Sequence, residues 1–256
     1  MQIASMSDIH LEFGVPIPRA EQINADILIL SGDITTLPRI DRLKTLLAGW
    51  EKPVLYVLGN HEYYHGSLTM AAIRDQFRNY CAAELPQLQI LDNQSITIDG
   101  IQFFGGTMWT DFGAGNAIAM ITAHQKLNDF RHIHSRDQRR LTPEETRAFH
   151  QQFKLALQLW LETPLSGPRV VITHHSPAHH PQTIYRTSPI QTAFVSEDML
   201  PILMEQPIDA WFYGHTHEHD QRMIGSTHVI SNQRGYLQGI GYECPQFSEQ
   251  GLVLSL

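Results

Sequence analysis

The sequence predicts a layered α/β fold, and three features carry that expectation. Several strand candidates are unbroken apolar runs, among them Ile27-Leu28-Ile29-Leu30 and Val54-Leu55-Tyr56-Val57-Leu58. Such runs suit strands covered on both faces. Asp99-Gly100 stands between two alternating segments, which signals a hairpin. A long amphipathic helix opens at Thr142-Pro143, with Glu145 placed to complete a capping box.

Taken in order, strands are expected at Gln2–Met6, Asp26–Leu30, Val54–Leu58, Gln89–Leu91, Ser95–Ile98 and Gln102–Phe104. Further strands are expected at Arg169–Ile172, Ala210–Tyr213, Thr227–Ile230 and Leu252–Leu254. Helices are expected at Pro38–Trp50, Ser67–Ala83, Ala117–Phe130, Pro143–Glu162 and Glu197–Glu205. In the fourth helix Phe149, Phe153, Ala156, Leu157 and Trp160 recur at helical spacing and mark its buried stripe. The chain reads as a single domain over residues 1–256, with a mostly helical excursion at about 113–165. The part from Gly113 to Asp137 is placed over the mouth of the site.

Composition narrows the function classes. An apolar fraction of 42% and a charged fraction of 17% describe a globular chain able to bury a full core. A formal net charge of -8 disfavours broad adhesion to nucleic acid or anionic membrane. Arg139, Arg140, Arg169, Arg186 and Arg234 leave a local basic pocket open. Cys81 and Cys244 imply no disulfide framework and a reducing compartment. The first residues enter a strand at once, without the basic and apolar regions of a signal peptide. No stretch approaches the ~20 apolar residues of a membrane span. A cytoplasmic protein is the expectation.

Short polar clusters recur where apolar runs stop: Asp8-Ile9-His10, Gly32-Asp33, Gly59-Asn60-His61-Glu62, His174-His175 and Gly214-His215-Thr216-His217. Alternation in extended backbone would put Asp8 and His10 on one face, and likewise His215 and His217. Asp33 supplies a carboxylate able to bridge two ions, and Asn60 a neutral amide oxygen. The mixed oxygen and nitrogen set suits a pair of divalent transition metals. Each cluster alone also has an ordinary reading, a turn or a helix cap. All of them in one order after apolar strands favour a metal site.

These motifs resemble the calcineurin-like metallophosphoesterase superfamily, from residue 3 to about residue 235. The resemblance implies a four-layer α/β/β/α sandwich of two mixed sheets flanked by helices. It also implies two divalent metal ions, of which manganese, iron and zinc are candidates. By position, Asp8, His10, Asp33 and His217 would hold the first ion. Asp33, Asn60, His174 and His215 would hold the second, and His175 competes with His174 for that place. His61 and Asp33 carry the implied catalytic roles, with His61 beside the substrate phosphate and Glu62 orienting its imidazole. The implied reaction is hydrolysis of a phosphomonoester or phosphodiester by attack of a metal-bridging hydroxide. Gly32-Asp33-Ile34-Thr35-Thr36 lacks the Asp-Arg-Gly continuation of the Ser/Thr phosphoprotein phosphatases, which argues against a phosphoprotein substrate.

Other residues have two readings each. His175 and Arg234 are substrate-binding candidates, although an exposed or salt-bridged arginine is the ordinary case. Trp109 reads as core packing. Tyr63, Tyr64 and His65 read as pocket lining or as packing, and His179 and His180 as surface or mouth. His219 reads as a solvated loop histidine or as a support behind the ligands His215 and His217. The expected partner is a small phosphorylated substrate, with nucleic acid only as a small nucleotide. Competing functions are a nuclease or cyclic-nucleotide phosphodiesterase with the same site, and a non-catalytic scaffold. The sequence says nothing of oligomeric state.

Overall fold

The computed structural model describes residues 1–136, 139–164, 166–183 and 187–256. Asp137 and Arg186, both named above, lie outside the described residues. Two mixed sheets dominate. The first orders its strands Leu252–Ser255, Gln2–Met6, Ile27–Leu30, Val54–Tyr56 and Leu88–Ile90. The second runs Asp220–Ile224, Thr227–Ser231, Ala210–Phe212, Arg169–Thr173, Ile101–Gly106 and Gln94–Ile98. Interior pairs are parallel, with Ile3 opposite Ile27 and Phe212 opposite Ile172. The outermost pairs are antiparallel except at Leu88–Ile90, and the Asp99-Gly100 turn closes the expected hairpin.

Side-chain alternation sorts each strand into two faces and so builds three cores. Ile27 and Ile29 face the second sheet, packing with Phe103, Val170, Ile172 and Phe212. Leu28 and Leu30 face outward, against Leu43, Leu46, Ile73 and Phe77 of helices Arg42–Leu46 and Met70–Glu84. On the far side Phe104, Val171 and Trp211 meet Phe153, Leu157 and Leu203 from helices Pro143–Glu162 and Leu200–Glu205. The result is the four-layer α/β/β/α arrangement. Continuous apolar strands were the legible sign of it, because both faces of each strand are covered.

The capping box forms as read: the Glu145 amide donates to Thr142 Oγ1 at 3.3 Å, and the Thr142 amide to Glu145 Oε2 at 3.1 Å. Four helices are shorter than expected: Ser67–Ala83 starts only at Met70, Glu197–Glu205 is α-helical only over Leu200–Glu205, and two others break. The Pro38–Trp50 segment breaks into a turn at Leu37–Arg39 and a short helix at Arg42–Leu46. Ala117–Phe130 divides into Ala117–Lys126 and Asp129–His132, because Leu127 is extended (φ -81°, ψ 141°). That break matters, since it turns Asp129 inward toward the site. Among the described residues no helix is long and apolar enough to cross a membrane.

Candidate metal centre

Parallel strands deliver the polar clusters to one edge of the sandwich, beyond their carboxyl ends. The convergence does not use extended alternation. Asp8 (φ 52°), His10 (φ 51°), Asp33 (φ 53°), His215 (φ 73°) and His217 (φ 51°) are all left-handed. Non-glycine residues held there cost about 1–3 kcal/mol each and gather at functional sites. Backbone bonds stitch the loops together: the Asp8 amide donates to Gly32 O (3.0 Å), the His10 amide to Asp33 O (3.0 Å) and the Gly214 amide to His174 O (2.9 Å). Two glycines permit the close approach. A Cβ on Gly59 would lie 2.2 Å from Asp33 Oδ1, and one on Gly214 would lie 2.6 Å from Asp8 Oδ2.

The side chains form two adjoining groups. In the first, His10 Nε2 lies 3.2 Å from His217 Nε2, which lies 3.4 Å from Asp8 Oδ1. In the second, His174 Nε2 lies 2.9 Å from Asn60 Oδ1, 3.1 Å from His215 Nδ1 and 3.4 Å from Asp33 Oδ1. Asp33 faces both, because its Oδ2 is 3.9 Å from His10 Nε2. The ligand atoms of Asp8, His10 and His217, and those of Asp33, His174 and His215, lie close enough together to hold one ion. His10, Asp33 and His61 form a third such trio between them.

Outer partners decide what these inner atoms present. His10 Nδ1 donates to Glu12 Oε1 (3.1 Å), His217 Nδ1 to Glu243, and His174 Nδ1 to Ser31 O (2.8 Å). A carboxylate or carbonyl can only accept, so the hydrogen sits on the outer nitrogen. Asn60 likewise spends its amide hydrogens on Asp129 Oδ1 (2.8 Å) and the Tyr64 hydroxyl oxygen (3.3 Å) and turns its own oxygen inward. Bare acceptors therefore point at one another across about 3 Å. His215 Nε2 is buried without a partner. A proton or a cation must reconcile such facing lone pairs.

The electrostatics agree. Burial opposes the charge on Asp33, but His174 and His61 hold it well below the ordinary carboxylate range. Burial would lower His174 and His217 too. Instead Asp33 pushes His174 up to about 9, and Asp8 with Glu243 pushes His217 up to about 10. Burial leads His215 well down, with His175 and His174 adding to it. His61 is raised: burial works against it, and the Asp33 and Glu12 carboxylates prevail.

A cavity of about 710 Å³ opens above, with Asp33, Asn60, His61 and His215 on its floor. That volume lies in the range of small-molecule sites. Tyr64, Phe194 and Tyr236 form walls. Tyr64 stacks on His61 at 4.3 Å, and Phe194 on His215 at 4.7 Å.

Residues 1–219 match the calcineurin-like phosphoesterase family. The chain belongs to that family. It is accordingly a hydrolase acting on phosphoesters. An uncharacterized protein of Acanthamoeba polyphaga mimivirus is 26% identical over 256 residues, covering 90% of each chain. The phosphopantetheinyl hydrolase of Mycobacterium tuberculosis shares the fold at a TM-score of 0.71 and 17% identity, over 92% of this chain and 89% of that one.

Several sequence expectations for this phosphoesterase need correction. Glu62 does not orient His61. Its carboxylate accepts from the Asp33 amide (3.0 Å), the Ile34 amide (2.7 Å), the Gly59 amide (2.7 Å) and the Tyr56 hydroxyl (2.5 Å), bracing two loops. The His61 partner is Glu12, at 2.9 Å from Nδ1. His175 does not reach the cavity: it is buried, its Nδ1 lies 3.2 Å from Thr107 O, and its ring packs on Trp109. His174, not His175, therefore faces Asn60. Arg234 is also unavailable to substrate, because its fully buried guanidinium donates to Pro16 O (2.7 Å) and Ile9 O and lies over Tyr242. Trp109 is core, as read. His179 and His180 face Glu197 and Asp220. Glu12, Asp129, Tyr236 and Glu243 went unread. Only Glu12, two residues beyond His10, carried a local signal.

Proposed function

We propose that this chain hydrolyses a small phosphoester at a site for two divalent transition-metal cations. Asp8, His10, Asp33 and His217 would hold one; Asp33, Asn60, His174 and His215 would hold the other. The observation that supports this is the set of acceptors turned inward by outer hydrogen bonds, with Asp33 facing both groups. Imidazole, carboxylate and amide donors accept manganese, iron or zinc. Bound there, such ions neutralise phosphoryl charge and acidify water.

The chain's own residues supply the rest. Glu12 holds the Nδ1 hydrogen of His61 and aims the ring so that Nε2 faces the cavity. A raised pKa favours the imidazolium, which donates a proton from Nε2 to the departing ester oxygen. Glu62 keeps the loops of Asp33 and Asn60 together. Tyr64 and Phe194 flank the floor and receive the organic part of the substrate.

The test strips the protein with chelator and restores manganese, iron or zinc in turn. The substrates are p-nitrophenyl phosphate, its bis-ester, a cyclic nucleotide and a single-stranded oligonucleotide. Turnover is expected on a small ester only after metal is restored. Undiminished turnover in stripped protein, or none with any metal, contradicts the reading.

A further inference from the structure

Beyond the family-matched residues 1–219 the chain makes a small ribbon, in which Leu237–Gln238 pairs antiparallel with Gly241–Tyr242. Its base is fastened to the loop that carries Asp8 and His10. Arg234 N donates to Ser7 O (3.2 Å) and Gly235 N to Asp8 O (3.0 Å). The buried Arg234 guanidinium grips Ile9 O and Pro16 O in the same loop. This explains why a fully buried cation is tolerated at that point: it caps carbonyls and lies over Tyr242 at 4.6 Å.

From that base the ribbon reaches two different histidines. Glu243 accepts from His217 Nδ1 and also from the Tyr236 amide (3.0 Å). Tyr236 Oη lies 3.0 Å from His61 Nε2 and accepts its hydrogen when the ring is imidazolium. Its ring lies 4.4 Å from His10 and 4.7 Å from His217. Gly235 makes the approach possible. It is left-handed (φ 72°), and a Cβ there would stand 2.8 Å from Glu243 Cβ and 3.3 Å from His217 Nδ1.

We propose that residues 233–244 complete the site, with Glu243 and Tyr236 as positioning residues: Glu243 sets the tautomer and aim of His217, and Tyr236 the placement of His61. This rests on the function proposed above. Carboxylates behind a ligating imidazole fix its orientation and raise its basicity, and losing one costs ~10–100-fold in metal affinity or activity. The two residues act separately, so their loss has different signatures.

Binding of manganese alone to stripped protein, read by calorimetry, tests Glu243 without any turnover. Glu243→Ala is expected to weaken the affected site by ~10–100-fold. Glu243→Gln, whose amide oxygen still accepts from Nδ1, recovers much of that loss, which a mere packing role would not produce. Tyr236→Phe retains the ring and is expected to bind manganese as wild type does. Its kcat falls by about threefold to tenfold with KM unchanged, the equivalent of one hydrogen bond. Wild-type manganese affinity in Glu243→Ala, or equal losses in the Ala and Gln variants, overturns the Glu243 role. Unchanged kcat in Tyr236→Phe overturns the Tyr236 role. If wild-type protein binds manganese but cleaves no ester, the function proposed above fails while the affinity comparison stands.

Discussion

Single residues at this site divide by what they touch. Asp33 and His215 face the inward acceptors directly, so Asp33→Ala and His215→Ala are expected to abolish turnover. His61→Ala removes the trio His10, Asp33 and His61 but leaves the trios Asp8, His10, His217 and Asp33, His174, His215 intact. It should fold, bind metal and lose ~10²–10⁴-fold in kcat, the usual worth of a placed acid or base. Steady-state kinetics with an aryl phosphate ester, alongside metal analysis, checks this; wild-type rates would remove His61 from the mechanism. Glu12 should behave as His61 does, more mildly, because it works through that ring and through His10. At this scale the sequence was legible for the side chains that converge. Motif order named Asp8, His10, Asp33, Asn60, His61, His215 and His217. It could not separate His174 from His175, since adjacent residues differ only in which way the backbone turns after Thr173. It also misassigned Glu62, whose neighbour in sequence is His61 but whose neighbours in space are the amides of Gly59, Asp33 and Ile34.

At the scale of elements, the parallel strands and the capped helix were readable because their signals are local. Unbroken apolar runs mark strands covered twice, and Thr142 with Glu145 marks a helix start. The helix break at Leu127 and the ribbon at 237–242 were not readable. Both are set by contacts far away in sequence, Asp129 with Asn60 and Glu243 with His217. The backbone of the ligand loops was read wrongly as extended, because left-handed residues bear no mark in side-chain pattern. Two substitutions separate stability from chemistry. Thr142→Ala removes a helix cap remote from the cavity and should cost about 1 kcal/mol in urea unfolding, with kcat unaffected. Gly59→Ala should do the reverse in emphasis: its Cβ collides with Asp33 Oδ1, so activity falls by far more than the melting temperature suggests. Full activity in Gly59→Ala would show that the loops are not held at their closest approach.

For the whole molecule, the buried histidines make stability depend on pH in the metal-free state. His174 and His217 have folded values of about 9 and about 10, above the unfolded value of about 6.5. Their contribution is complete below about pH 6.5 and is lost as pH rises through those folded values. His215 and His175 are shifted down, so their contribution has the opposite sign and is lost as pH falls below about 6.5. Stripped protein should therefore melt highest near neutrality and lower at pH 9.5. Added manganese should flatten the alkaline fall, because a cation then stands where the protons did. Differential scanning fluorimetry across pH, with and without manganese, reads both effects. An alkaline fall of equal size in the two samples would mean that metal and proton do not compete.

Anomalous diffraction at the manganese edge, from crystals of reconstituted protein, tests the central claim most directly. The account predicts two peaks sharing Asp33, one beside Asp8, His10 and His217, the other beside Asn60, His174 and His215. A single peak, or density that leaves either group of side chains empty, would contradict it.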